Sequence, residues 1–147
     1  MMKRIVCLLT VLMLLAVVLT GCQSDTIPIA TAKGAKIDAA LSDITEIECL
    51  GSVNGEKDFS LKGDEAVELF KRIRSLTKSE TKDTEPSSNV IHISFTGTFN
   101  GEKAWLGVYM VQDNGIIMRM TAPYDAYMRG YSCDKSAYET ILKLVQP

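Results

Sequence analysis

Few residues in this chain are of a type that does chemistry. The single histidine, His92, lies in an alternating run from Val90 to Phe99. A nucleophile triad would have to be built around it. Ser94 shares its strand face two residues on, but spacing places no carboxylate beside the pair. One histidine and scattered cysteines give none of the close ligand spacings by which metal sites are read, so no metal and no cofactor is expected. Glu46 and Glu48 share a strand face, and Asp64, Glu65 and Glu68 gather at a helix start. Solvation and the helix dipole account for both groups. Gly97, Gly101 and Gly107 fall in strands or turns, not in a phosphate-cradling loop. The expectation is a protein without catalytic residues, and a hydrolase built on His92 ranks behind a binding role.

The cysteines are more informative. Lys3 and Arg4 precede a nearly continuous apolar run, Ile5 to Leu19, that ends in Leu19-Thr20-Gly21-Cys22. As a helix this run spans ~22 Å, short of a ~30 Å hydrocarbon core. A positive start, a short apolar stretch and small residues at its end predict a secretory signal over residues 1–21. The Leu-Thr-Gly-Cys ending resembles the bacterial lipobox. That resemblance implies diacylglycerol on the Cys22 sulfur and cleavage between Gly21 and Cys22. Two or more acyl chains on one cysteine anchor stably where one holds only reversibly. The expected address is the outer surface of a bacterial cell membrane, with the membrane itself as a partner through Cys22.

Residues 22–147 form a chain of 126 residues, about one domain. Without Lys3 and Arg4, 14 basic residues face 18 acidic ones, a net charge of −4. This acidity gives no support for a nucleic-acid partner, which needs a basic face to displace counterions. Cys7 leaves with the signal and Cys22 carries lipid, so Cys49 and Cys133 remain as a possible disulfide or as two packed thiols.

Residues 22–42 are small and polar, with Pro28 and Gly34, and read as a lipidated N-terminus and flexible tether of typical reach ~25 Å. The domain is expected over 43–147. Ile47, Cys49, Gly51 and Val53 alternate with polar neighbours up to Asn54-Gly55, and Phe59 and Leu61 mark the returning strand. Asp64 reads as a helix cap before a stripe of Ala66, Leu69, Phe70, Ile73 and Leu76. A three-strand meander follows, with turns at Asn100-Gly101 and Asn114-Gly115. Ser132 or Asp134 then caps a last helix that buries Tyr138, Ile141, Leu142 and Val145. The order ββαβββα predicts an α+β domain: an antiparallel sheet of about five strands with two helices on one face.

That architecture leaves the second sheet face as the candidate binding surface. If Ile91, Ile93 and Phe95 face the helices, strict alternation turns His92, Ser94, Thr96, Trp105, Tyr109, Ile117 and Arg119 outward. Exposed Trp, Tyr and Arg are the residue types enriched at binding hot spots.

Pro123-Tyr124-Asp125-Ala126-Tyr127, after the meander and before the last helix, resembles the Pro-Tyr-x-x-Tyr segment of a family of small Firmicute lipoproteins of unknown function. The likeness spans roughly residues 44–146. It implies the α+β fold and the extracytoplasmic compartment, and no activity. Here Thr121-Ala122 precede the proline, with no acidic residue just before it.

The functional expectation is a surface-tethered module that binds an envelope or extracellular protein. The competing expectation is an inhibitor or immunity-type protein directed at an external enzyme. The anchor has a direct check: mass spectrometry of the mature N-terminus should find lipid on Cys22 and no trace of residues 1–21. An unmodified Cys22 on an uncut chain would refute it.

Overall fold

The computed structural model of the chain describes residues 25–83, 85–120 and 128–146. The signal, Gly21-Cys22 and the Pro-Tyr-x-x-Tyr segment lie outside the described residues. Among the described residues no helix is long and apolar enough to cross a membrane.

The chain is α+β. In order it forms β1 (Thr26–Thr31), β2 (Lys36–Ala40), a short 3-10 turn (Leu41–Asp43), β3 (Ile44–Val53), β4 (Lys57–Lys62) and α1 (Asp64–Leu76). Then come β5 (Ser79–Thr81), β6 (Val90–Phe99), β7 (Glu102–Gln112), β8 (Ile116–Met120), β9 (Arg129–Ser132) and α2 (Ser136–Val145). All strand pairings are antiparallel, in the order β4-β3-β6-β7-β8-β9-β5. The β1–β2 hairpin joins this path at β7, through Ala30 opposite Trp105 and Thr31 opposite Ala104.

The sheet thus has nine strands, not about five. Two of the additional strands, β5 and β9, are only three and four residues long, too short to show a period. The other two overturn the tether reading for most of its length. Pro28 and Gly34 suggested a linker, yet Ile27 and Ile29 on β1 and Ala39 on β2 lie in the core. At Pro28 the strand has a neighbour on one side only, Asp38 of β2, which is where a strand tolerates a residue without an N–H.

The expected hairpins and helices otherwise form for the expected reasons. Asn54 and Gly55 have φ of 53° and 70°, and Asn100 and Gly101 have 50° and 76°, the left-handed pairs that tight hairpins need. The third turn works differently. There the Asn114 side chain accepts from the Ile116 N–H at 3.1 Å and donates to the Glu85 carbonyl at 3.0 Å.

Helix α1 buries Ala66, Leu69, Phe70 and Ile73. Gly63, not Asp64, stands at its cap, and Asp64 is the first helical residue. At α2 the Asp134 carboxylate accepts the Ser136 N–H at 2.8 Å, the service an N-terminal cap provides. Both helices cover one face, called inner here. Its centre is a run of rings: Phe70 meets Phe95 edge-on with centroids 5.0 Å apart, and Phe95 meets Tyr109 at 5.9 Å. Edge-to-face pairs of this kind add to area burial because ring edge and ring face carry opposite partial charge.

The hairpin correction is testable by mutation. Ile29 is 0% exposed, so Ile29→Ala should destabilise the domain by ~2–5 kcal/mol in urea unfolding, as for other buried large-to-small changes. A tether residue would give no change.

Candidate functional site: the two faces of the meander

The expected binding face divides in two. On β6, His92 is exposed, and Ser94 and Thr96 are half-buried, all on the outer face. Thr96 stands opposite Trp105 of β7, which is half-buried on that same face. The other three residues do not join them.

The cause is a β-bulge in β7. Phe95 pairs with Gly107 and Thr96 with Trp105, so Leu106 is an extra residue in β7. Such an insertion re-aims every side chain beyond it. Before the bulge, Ala104 and Leu106 point to the core; beyond it, Tyr109 and Val111 do. Gly107 makes this possible, with φ +139°. A Cβ there would sit 3.1 Å from the Tyr109 ring and 3.3 Å from the Met120 carbonyl.

Tyr109 is therefore opposite Ile93 and 0% exposed. Ile117, opposite Val111, is equally buried. Arg119, opposite Tyr109, also takes the inner side. These three assignments to the outward surface are corrected.

Val108, Met110 and Met120 take the outward places instead. One row across the outer face runs Leu50, Ser94, Val108, Met120, and the next runs Ser52, His92, Met110, Met118. Leu50 is 61% exposed and anchors the apolar part of this surface. Its signal was present in the sequence, as a leucine on the polar side of β3. Strict alternation puts Val108, Met110 and Met120 on the inner side, because it misses the bulge that reverses them.

The far end of the same face is closed. The chain between β5 and β6 is fastened there: the Ser87 N–H donates to Gln112 Oε1 at 2.7 Å, and Asn89 Nδ2 donates to Asp113 Oδ2 at 2.7 Å. The Ser87 hydroxyl also donates to Asp113, and these bonds hold the Asp113 carboxyl below its ordinary range. A Cβ on Gly130 would meet the carbonyls of Thr81 and Asp83 at 3.1 and 3.2 Å, so this chain lies directly against β9. Met118 is accordingly 8% exposed although its row is outward.

On the inner side, two polar atoms are stranded. Among the described residues, Tyr109 Oη and Arg119 Nε are buried without a hydrogen-bond partner. The Arg119 guanidinium lies 5.9 Å from the centre of the Tyr109 ring. Burial pushes the Tyr109 phenol up, with the positive charges of Arg119 and Arg74 acting the other way.

Cys49 and Cys133 are free thiols. Three strands, β6, β7 and β8, separate β3 from the strand that leads into Cys133. Cys49 points into the core, where burial pushes its thiol up to about 11, and burial raises that of Cys133 as well. A thiol so shifted stays protonated at neutral pH and is a poor nucleophile or metal ligand. Among the described residues no three His, Cys, Asp or Glu side chains come together as a metal site. No protein-family model, no curated protein and no solved structure matches the chain.

Proposed function

We propose that this chain is an extracytoplasmic lipoprotein, held by lipid on Cys22, whose domain binds a protein partner through the open part of the outer sheet face. It is read as a binding protein and not an enzyme. The observation that carries the proposal is Leu50, 61% exposed in the middle of a strand and level with Val108 and Met120. An apolar side chain so placed leaves most of its surface in water in the free protein, and burying that remainder is worth ~1–2 kcal/mol. Methionine adds reach, because its unbranched thioether fits irregular partner surfaces. The partner this surface suits is another envelope or extracellular protein that presents an apolar patch to Leu50, Val108 and Met120 and polar groups to the charges beside them, Asp58 opposite Ser52 and the Glu48–Lys62 pair level with Thr96.

The fold also sharpens the geometry of tethering. With β1 beginning at Thr26, only residues 23–25 separate the lipidated cysteine from the first strand. Even fully extended, the four Cα-to-Cα steps from Cys22 to Thr26 reach no more than ~14 Å. On this reading the domain lies close to the headgroups, and its partner meets it near the membrane plane.

Photo-crosslinking in cells tests the proposal. A photoreactive residue at position 50 should yield one discrete protein adduct, and the same group at exposed Glu139 on α2 should not. Adducts from position 139 alone, or from neither position, would sink the outer face as the binding surface.

A further inference from the structure

The bulge that clears Tyr109 and Arg119 from the outer face sets up a second surface. Beside the end of α1 lies a cleft of about 310 Å³ whose lining includes Lys71, Arg74, Lys78 and Arg119. Among the described residues the only carboxylate in the lining is Asp25. It is already engaged, because Arg74 Nη1 donates to Asp25 Oδ1 at 3.3 Å while Arg74 Nη2 donates to the Thr26 carbonyl at 3.3 Å. Neither Lys71 nor Lys78 has a carboxylate within ion-pair distance among the described residues, and Arg119 has none either.

Part of this charge has an ordinary cause. Cations at the C-terminal end of a helix are favoured by its dipole, which accounts for Arg74 and Lys78. It does not account for Arg119, which reaches the cleft from β8. Nor does it account for a buried Arg119 Nε without an acceptor among the described residues. A buried donor left unpaired costs ~1–3 kcal/mol, more when charged. Three further cations around it raise that cost by mutual repulsion. A ligand that brings negative charge into the cleft relieves the repulsion among these cations.

We propose that this cleft is an oxyanion-binding site in which Arg119 takes two oxygens of a carboxylate or phosphate group through its two Nη groups. Lys71 and Lys78 supply the balancing charge, and Arg74 stays with Asp25 as the wall. Arginine is the residue whose planar fork matches two oxygens of one group. The site lies on the opposite side of the sheet from the proposed protein-binding face and stands independently of it.

The test is thermal unfolding of the full chain in sodium phosphate, sodium acetate and sodium chloride at matched ionic strength. Phosphate, acetate or both should raise the midpoint saturably above chloride, and the anion that does so names the ligand group. Arg119→Lys keeps the charge but loses the fork, so it should weaken the effect roughly tenfold or more. A purely structural Arg119 would lower the starting midpoint and leave the anion-dependent increment intact. Should Arg119→Lys not fold, Lys78→Gln carries the test, with a several-fold weaker response expected. No saturable increment over chloride, or an increment unchanged in the variant that folds, overturns the proposal.

Discussion

One inserted residue in β7 decides what each side of this molecule presents. Leu106 and Gly107 together oppose Phe95, and the insertion turns the rest of β7 over. Trp105 and Tyr109, four residues apart in an alternating strand, would share a face in a regular ladder. Here Trp105 is on the outer side and Tyr109 on the inner side. Because β8 pairs with β7 beyond the bulge, its residues follow: Ile117 and Arg119 turn inward with Val111 and Tyr109, and Met118 and Met120 turn outward with Met110 and Val108. A glycine at 107 is required by φ +139° and by the ring and carbonyl that crowd it.

The core depends on the same step. Tyr109 completes the line of rings from Phe70 through Phe95, and that line joins α1 to the sheet. Among the described residues its hydroxyl is left without a partner, and so is the Nε of Arg119 opposite it in β8. Native structures leave few buried polar groups unpaired, so two such atoms on paired residues point to a feature beyond packing. The outer face shows the opposite pattern, with polar groups in water and a large apolar one, Leu50, exposed among them. These two features lie on opposite sides of one sheet; the inner one follows from which way β7 and β8 face, and Leu50 from the alternation of β3.

Much of the fold was legible because its signals are local. Asn54-Gly55 and Asn100-Gly101 predicted tight hairpins, and the φ values at both agree. The stripe Ala66, Leu69, Phe70, Ile73 predicted the buried side of α1 correctly, and Ile91, Ile93 and Phe95 predicted that of β6. What failed was non-local. Strands β5 and β9 exist through their pairing with each other, and residues 79–81 carry no pattern of their own. The β1–β2 hairpin did carry one, Ile27 and Ile29 against Ile37 and Ala39, but Pro28 and Gly34 outweighed it. The binding face failed at one point for one reason: alternation cannot show where an extra residue is inserted. Gly107 inside an otherwise apolar strand was the available sign, since an isolated strand glycine often marks a bulge. The proposed lipid attachment at Cys22 rests on sequence alone.

The central claim is that β7 reverses its faces between Trp105 and Tyr109. Nuclear Overhauser contacts of the Phe95 ring test it most directly. The account predicts contacts from the Phe95 ring to the rings of both Tyr109 and Phe70, and none to the Met110 methyl. Contacts from Phe95 to Val108 and Met110, with Tyr109 free in solvent, would show an unbulged strand and contradict it.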